Sequence, residues 1–118
     1  MCAAALLLLA GCETVPMSPP IAFTGDALVD GKAQLVAAAA KDRVLWHYRV
    51  SATALRRGDS AEAAHQLDDA LDLTRGTLAA AGDAAAARSR RMFRRESDKP
   101  FVGEPYERVM AAFYRGIL

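Results

Sequence analysis

Aromatic side chains are scarce, at 7% of 118 residues with a single tryptophan. The hydrophobic fraction is 53%, but alanine supplies much of it and buries little area per residue. A small alanine-rich core implies modest stability, or help from a partner. A surplus of one charge is also missing: 15 basic and 14 acidic side chains leave +1. That balance excludes the strong basic excess of a dedicated nucleic-acid binder. Cysteine is confined to Cys2 and Cys12. Sustained polar/apolar alternation is absent after Gly25 and β-branched content is low, so no strand is expected there.

Chemistry-bearing motifs are missing too. The chain has no Gly-rich phosphate loop, no His-Glu-x-x-His, no nucleophile elbow and no Cys-x-x-Cys. No enzyme activity and no cofactor are expected. The two histidines, His47 and His65, fall on different helices. Counted from a turn at Asp59, they are not expected to meet, and they are too few for a metal site. Asp68, Asp69 and Asp72 share a helix region and read as a solvated acidic face rather than a cation site. Trp46 and Tyr48 read as core residues, with a ligand groove as the alternative.

The charges that are present are segregated. Asp59–Asp83 holds six acids and one base, and Arg88–Lys99 holds six bases and two acids. Such runs are ordinarily solvated faces that attract each other in the fold. Contact of the basic stretch with anionic lipid headgroups is the alternative.

What is there begins at the N-terminus. The apolar run Ala3–Ala10 is too short for a bilayer core, which needs about 20 residues in a helix. It suits the apolar region of a secretory signal peptide. Leu9-Ala10-Gly11-Cys12 resembles a lipobox, where bacteria attach diacylglycerol to a cysteine and cleave before it. Small Ala10 and Gly11 admit the protease, and the Cys12 thiol forms the thioether. Residues 1–11 then form the signal peptide. Cys12 becomes an acylated N-terminus, and several acyl chains anchor stably where one is marginal. The mature chain would have no disulfide. The start Met1-Cys2 lacks the usual basic residue, which places the true start of the signal upstream. By resemblance to Gram-negative lipoproteins, Glu13 leaves outer-membrane sorting as the default. Residues 12–25, with Pro16, Pro19 and Pro20, read as a spacer.

Residues 26–118 read as an all-α domain. A first helix is expected over Asp26–Ala40, with Leu28, Leu35, Val36 and Ala39 on one side and Gly31 weakening it. A second, capped by Asp42, runs to Arg57 with a stripe of Val44, Leu45, Tyr48, Ala52 and Leu55. Gly58-Asp59 breaks the chain. Ser60 caps a third helix, with Ala63, Leu67, Ala70, Leu71, Thr74 and Leu78 on one face. Gly82-Asp83 breaks it again. Ala84–Arg95 is helix-permissive and Ser97–Gly103 is a loop. Pro105 opens a last helix, its apolar face Val109, Met110, Phe113, Tyr114 and Ile117 without a visible partner helix.

Leu45–Leu73 resembles one tetratricopeptide-type hairpin through Trp46, Tyr48, Leu55, Gly58-Asp59, Glu62-Ala63, Leu67 and Ala70-Leu71. In that resemblance Ala63 and Ala70 let the helices approach, while Trp46, Tyr48 and Leu67 fill the space between. Ser60, where an aromatic is usual, and the missing terminal proline depart from the pattern. Asp42–Leu118 resembles a family of uncharacterised bacterial lipoproteins with tetratricopeptide-like helices. The matching segments are Asp42–Trp46, Arg57-Gly58-Asp59 and Gly103–Val109. The resemblance implies antiparallel helical hairpins, about one and a half pairs plus a leading helix, after the signal and lipobox segment. The family continues the last helix into a further Gly-Asp turn and an Ala/Arg helix. Tyr106–Leu118 has 13 residues against roughly 34 for a repeat, so the domain is expected to be incomplete at its C-terminus.

These readings converge on a lipid-anchored helical scaffold that holds a protein partner at the periplasmic face of the outer membrane. No nucleic acid and no metal are expected. The alternatives are a regulator of an envelope enzyme such as a cell-wall synthase, or a non-functional truncated fragment. Gly103–Glu107 is explained by helix initiation alone, and alternatively presents Tyr106 and Arg108 as candidate partner contacts.

Overall fold

The computed structural model describes residues 21–82 and 99–118, all of them helix or connecting loop. The signal, Cys12 and most of the spacer lie outside the described residues. So does Asp83–Asp98, which holds the helix-permissive stretch and all of the basic run except Lys99. The described elements are α1 (Ala27–Ala37), a 3-10 turn (Ala40–Asp42), α2 (Arg43–Arg56), α3 (Ser60–Gly82) and α4 (Pro105–Ile117). No helix among the described residues is long and apolar enough to cross a membrane.

Each start and stop has a local cause. Asp26 caps α1, its Oδ1 accepting from the amides of Leu28 and Val29 at 2.8 and 3.1 Å. Arg57 Nη1 also donates to Asp26 Oδ2 at 3.0 Å, tying the start of α1 to the end of α2. α2 ends in a left-handed Gly58 (φ 74). The Asp59 amide returns to Ala54 O and the Gly58 amide to Leu55 O, both at 3.0 Å. Asp59 rather than Ser60 caps α3: its Oδ1 accepts from the Glu62 amide at 3.0 Å. The cause is geometric, since Ser60 already has helical geometry.

α2 runs between α1 and α3 and turns back along α3, so the core lies on two sides of it. Val44, Val50 and Ala54 of α2 meet Ala63, Leu67 and Ala70 of α3 in the buried set, with Ala111 from α4. The fully covered alanines, Ala54, Ala63 and Ala70, allow close helix approach. Gly31 has a packing reason as well: a Cβ there would lie 3.3 Å from Val50 Cγ2. Its cost to helix propensity accompanies a close crossing of α1 and α2.

Three expectations about faces are corrected. The buried stripe of α2 is Val44, His47, Val50, Ser51 and Ala54, while Leu45, Tyr48, Ala52 and Leu55 are only half-buried. A helix flanked on two sides buries its small and polar positions where neighbours come closest, not its largest apolar ones. Val36, expected on the packed side of α1, is 85% exposed. Trp46 does not fill the space between α2 and α3; it lines the cleft between α1 and α2.

Candidate functional site

The seam between α2 and α3 carries a polar network. His47 is buried and its Nδ1 lies 2.8 Å from Gln66 Oε1. Gln66 Nε2 donates to Glu62 Oε1 at 2.9 Å, so Oε1 is the acceptor and the proton sits on His47 Nδ1. Lys32 of α1 closes the chain with its Nζ 2.8 Å from Glu62 Oε2. This contact holds the Glu62 carboxyl below its ordinary range.

The two histidines do come together, against expectation. His65 Nδ1 is 3.5 Å and His47 Nδ1 4.0 Å from the same Asp69 Oδ2. His65 reaches Asp69 along α3, one turn on, while His47 faces both from α2. No group of three or more ligating side chains suited to a metal occurs among the described residues. The three aspartates of α3 have separate partners: Asp68 pairs with Arg115 at 2.6 Å, Asp69 with the histidines, and Asp72 with Arg75. The Arg115 contact fastens α4 to α3 and lowers the Asp68 carboxyl.

Tyr48 points the other way along the seam. Its ring meets Phe101 edge-on, centroids 6.5 Å apart, and its Cε2 lies where a Gly103 Cβ would come within 3.3 Å. The Tyr48 and Thr74 hydroxyls influence each other, yet neither reaches hydrogen-bond geometry with a partner among the described residues. Burial raises the Tyr48 phenol above its ordinary range, and the Thr74 hydroxyl offsets part of that.

The Gly103–Glu107 segment is a complete helix start. Gly103 is left-handed (φ 73), Pro105 opens the helix, and Glu104 and Glu107 form a reciprocal capping box. Tyr106 stands 68% exposed on this start. Arg108 is half-buried, and its Nη1 donates to Gly103 O at 2.6 Å. Only Tyr106 of the two candidate contacts is freely presented. Along α4 the exposed face continues through Val109, Met110, Phe113 and Ile117, a stripe at helical spacing. The packed side of α4 is Ala111, with Arg115 beside it.

A cleft of about 590 Å³ separates α1 and α2 on their outer side. Small residues, Ala27, Gly31 and Ala52, line it together with the aromatic Phe23 and Trp46. The Arg49 guanidinium carbon sits 4.8 Å over the Trp46 ring. Sequence reasoning missed Phe23, Arg49 and Arg56 as site residues. The available signal was that α2 holds three arginines and no acid. No family model, no curated protein and no solved structure matches this chain.

Proposed function

We propose that the protein is a lipoprotein, anchored through Cys12 at the periplasmic face of the outer membrane, whose helices serve as a protein-binding scaffold of the cell envelope. The observation that carries the binding part is the exposed stripe of α4. Phe113 is 57% exposed and Ile117 64%, beside Tyr106, Val109 and Met110. A contiguous apolar stripe on an otherwise charged small protein marks an interaction surface. The α2–α3 hairpin, with covered alanines at the crossing, supports a tetratricopeptide-like unit, which works by presenting surfaces rather than by turnover. The lipobox motif supports the anchor.

The test has two arms. Intact mass of the full chain made in a Gram-negative host is expected to show loss of residues 1–11 plus acyl chains, with Cys12→Ala unprocessed. An unmodified full-length chain would sink the anchor. A photo-cross-linking residue at Phe113 is expected to give one adduct of defined mass in the same cells, absent from the same residue at exposed Val36. Equal adducts at both positions would remove α4 as the docking face.

A further inference from the structure

We infer that the cleft between α1 and α2 is a second binding surface, built for an extended acidic peptide whose carboxylates flank an apolar side chain. The inference rests on the protein-binding reading and adds a site and a chemistry to it.

The charge in the cleft has one sign left over. Arg49 and Arg56 both line it, and neither is ion-paired with a carboxylate among the described residues. Arg49 lies over Trp46, and among the described residues Arg56 Nη2 donates to the Thr53 hydroxyl at 3.1 Å. A guanidinium stacked on a ring keeps its N–H edge outward, in the plane where a carboxylate binds through two hydrogen bonds. The one carboxylate lining the cleft, Asp30, is already engaged. Thr24 N and Oγ1 donate to its Oδ1 at 2.8 Å each, and Gly25 N to its Oδ2 at 3.1 Å. Those bonds, Thr24 foremost, hold the Asp30 carboxyl below its ordinary range.

The same three bonds fix the residue that precedes them. Phe23 is 74% exposed, yet its neighbour Thr24 is held at both amide and hydroxyl. An exposed aromatic next to a tethered backbone position, lining the same cleft as a tryptophan and small glycine and alanine residues, offers apolar surface to one side chain. Spacing selects the ligand. Arg49 and Arg56 are two turns apart on one helix, about 10 Å of axial rise. One small anion cannot bridge that distance. On an extended chain, at about 3.3 Å per residue, side chains alternate between faces, so carboxylates four residues apart share one face with the side chain midway between them and lie about 13 Å apart, within reach of two long arginine arms. The cleft is largely open, which suits a peptide laid along it with one apolar side chain against Phe23 or Trp46.

Trp46 is the only tryptophan, so its fluorescence reports on this cleft alone. The full chain, in neutral detergent micelles, is titrated with acetyl-Gly-Glu-Ala-Phe-Ala-Glu-Gly-amide and with its counterpart carrying Gln for both Glu. A saturable change is expected, with the Gln peptide about tenfold weaker. Arg49→Gln/Arg56→Gln is expected to bring the Glu peptide down to the Gln level. Its melting should be unchanged, because both side chains are exposed. No response, equal binding of the two peptides, or an unchanged response in the double variant would overturn the proposal. So would an arginine-dependent Trp46 response to phosphatidylglycerol vesicles without one to the peptide, which would assign the cleft to lipid headgroups. Cross-linking at Phe113 is unaffected by any of these outcomes, so failure here leaves the α4 reading standing, and the reverse holds.

Discussion

Ala54, Ala63 and Ala70 expose nothing in the seam between α2 and α3, whereas Val109, Phe113 and Ile117 on α4 each expose more than half of their surface. The seam sets fully covered alanines beside Val50, Leu67 and a buried histidine. The α4 face is made of large ones, left open. Helices that approach through alanine gain contact from backbone and methyl groups over a long line, and tolerate no added volume. A helix that packs through Ala111 and an exposed Arg115–Asp68 pair gains little, and its large side chains contribute nothing to the fold until something covers them. Close packing and exposed apolar surface are thus separated in space.

The comparison breaks most sharply under one substitution made twice. Ala70→Leu adds volume to a site with no exposure and is expected to cost about 3 kcal/mol, from overpacking against α2. Ala112→Leu on exposed α4 is expected to stay within about 0.5 kcal/mol. Chemical denaturation of both variants checks this. Similar losses would mean that α4 is packed as tightly as the seam.

The polar part of the seam gives the next effect. Gln66→Leu puts an apolar side chain of similar size in place of the amide and strands the buried His47 Nδ1–H, at an expected cost of about 2 kcal/mol. Restoring stability by a paired His47→Phe would show that the cost was the orphaned donor rather than lost packing.

Acid is expected to separate the two regions. Arg57, with the Val29 and Leu28 amides, pulls Asp26 to about 2. Asp30, Glu62 and Asp68 are also lowered, mainly through Thr24, Lys32 and Arg115. Carboxyls depressed in the fold contribute stability that is present above their unfolded values and is lost as pH falls through the folded ones. Three of the four hold α1, directly or through Lys32, and Asp68 holds α4. Between about pH 4 and 2, hydrogen exchange is expected to open α1 and α4 while the seam amides of α2 and α3 stay protected. Simultaneous opening of all four helices would refute the division.

Much of the architecture was legible. Gly58-Asp59 and Pro105 punctuate the chain by backbone geometry alone, so the hairpin and the last helix could be placed before any contact was known. The exposed face of α4 was legible for the same reason: its periodicity is written in large residues. The faces of α2 were not. Its burial depends on α1 and α3 together, and His47 is buried only because Gln66, 19 positions away, meets it. The cleft was half legible: an acid-free α2 can be read from sequence, but bringing Trp46 and Phe23 to one cleft needs the packing of α1 on α2 at Gly31.

The smallest effect has the opposite sign from the others. The hydroxyls of Tyr48 and Thr74 are sealed in the seam without a hydrogen-bond partner among the described residues. An unsatisfied buried hydroxyl costs its desolvation, and replacing it with an apolar group of the same shape removes that cost. Thr74→Val keeps the branched shape and is expected to be neutral, or to stabilise by up to about 1 kcal/mol. Tyr48→Phe is expected to do the same, and to keep the ring edge against Phe101 and Gly103. The two gains are not expected to add, since each hydroxyl senses the other. A double-mutant cycle by denaturation measures this. A loss of 1 kcal/mol or more in either single variant would mean that the hydroxyls are satisfied, by each other or by water, and that they add to the polar contacts His47 and Gln66 already make in the seam.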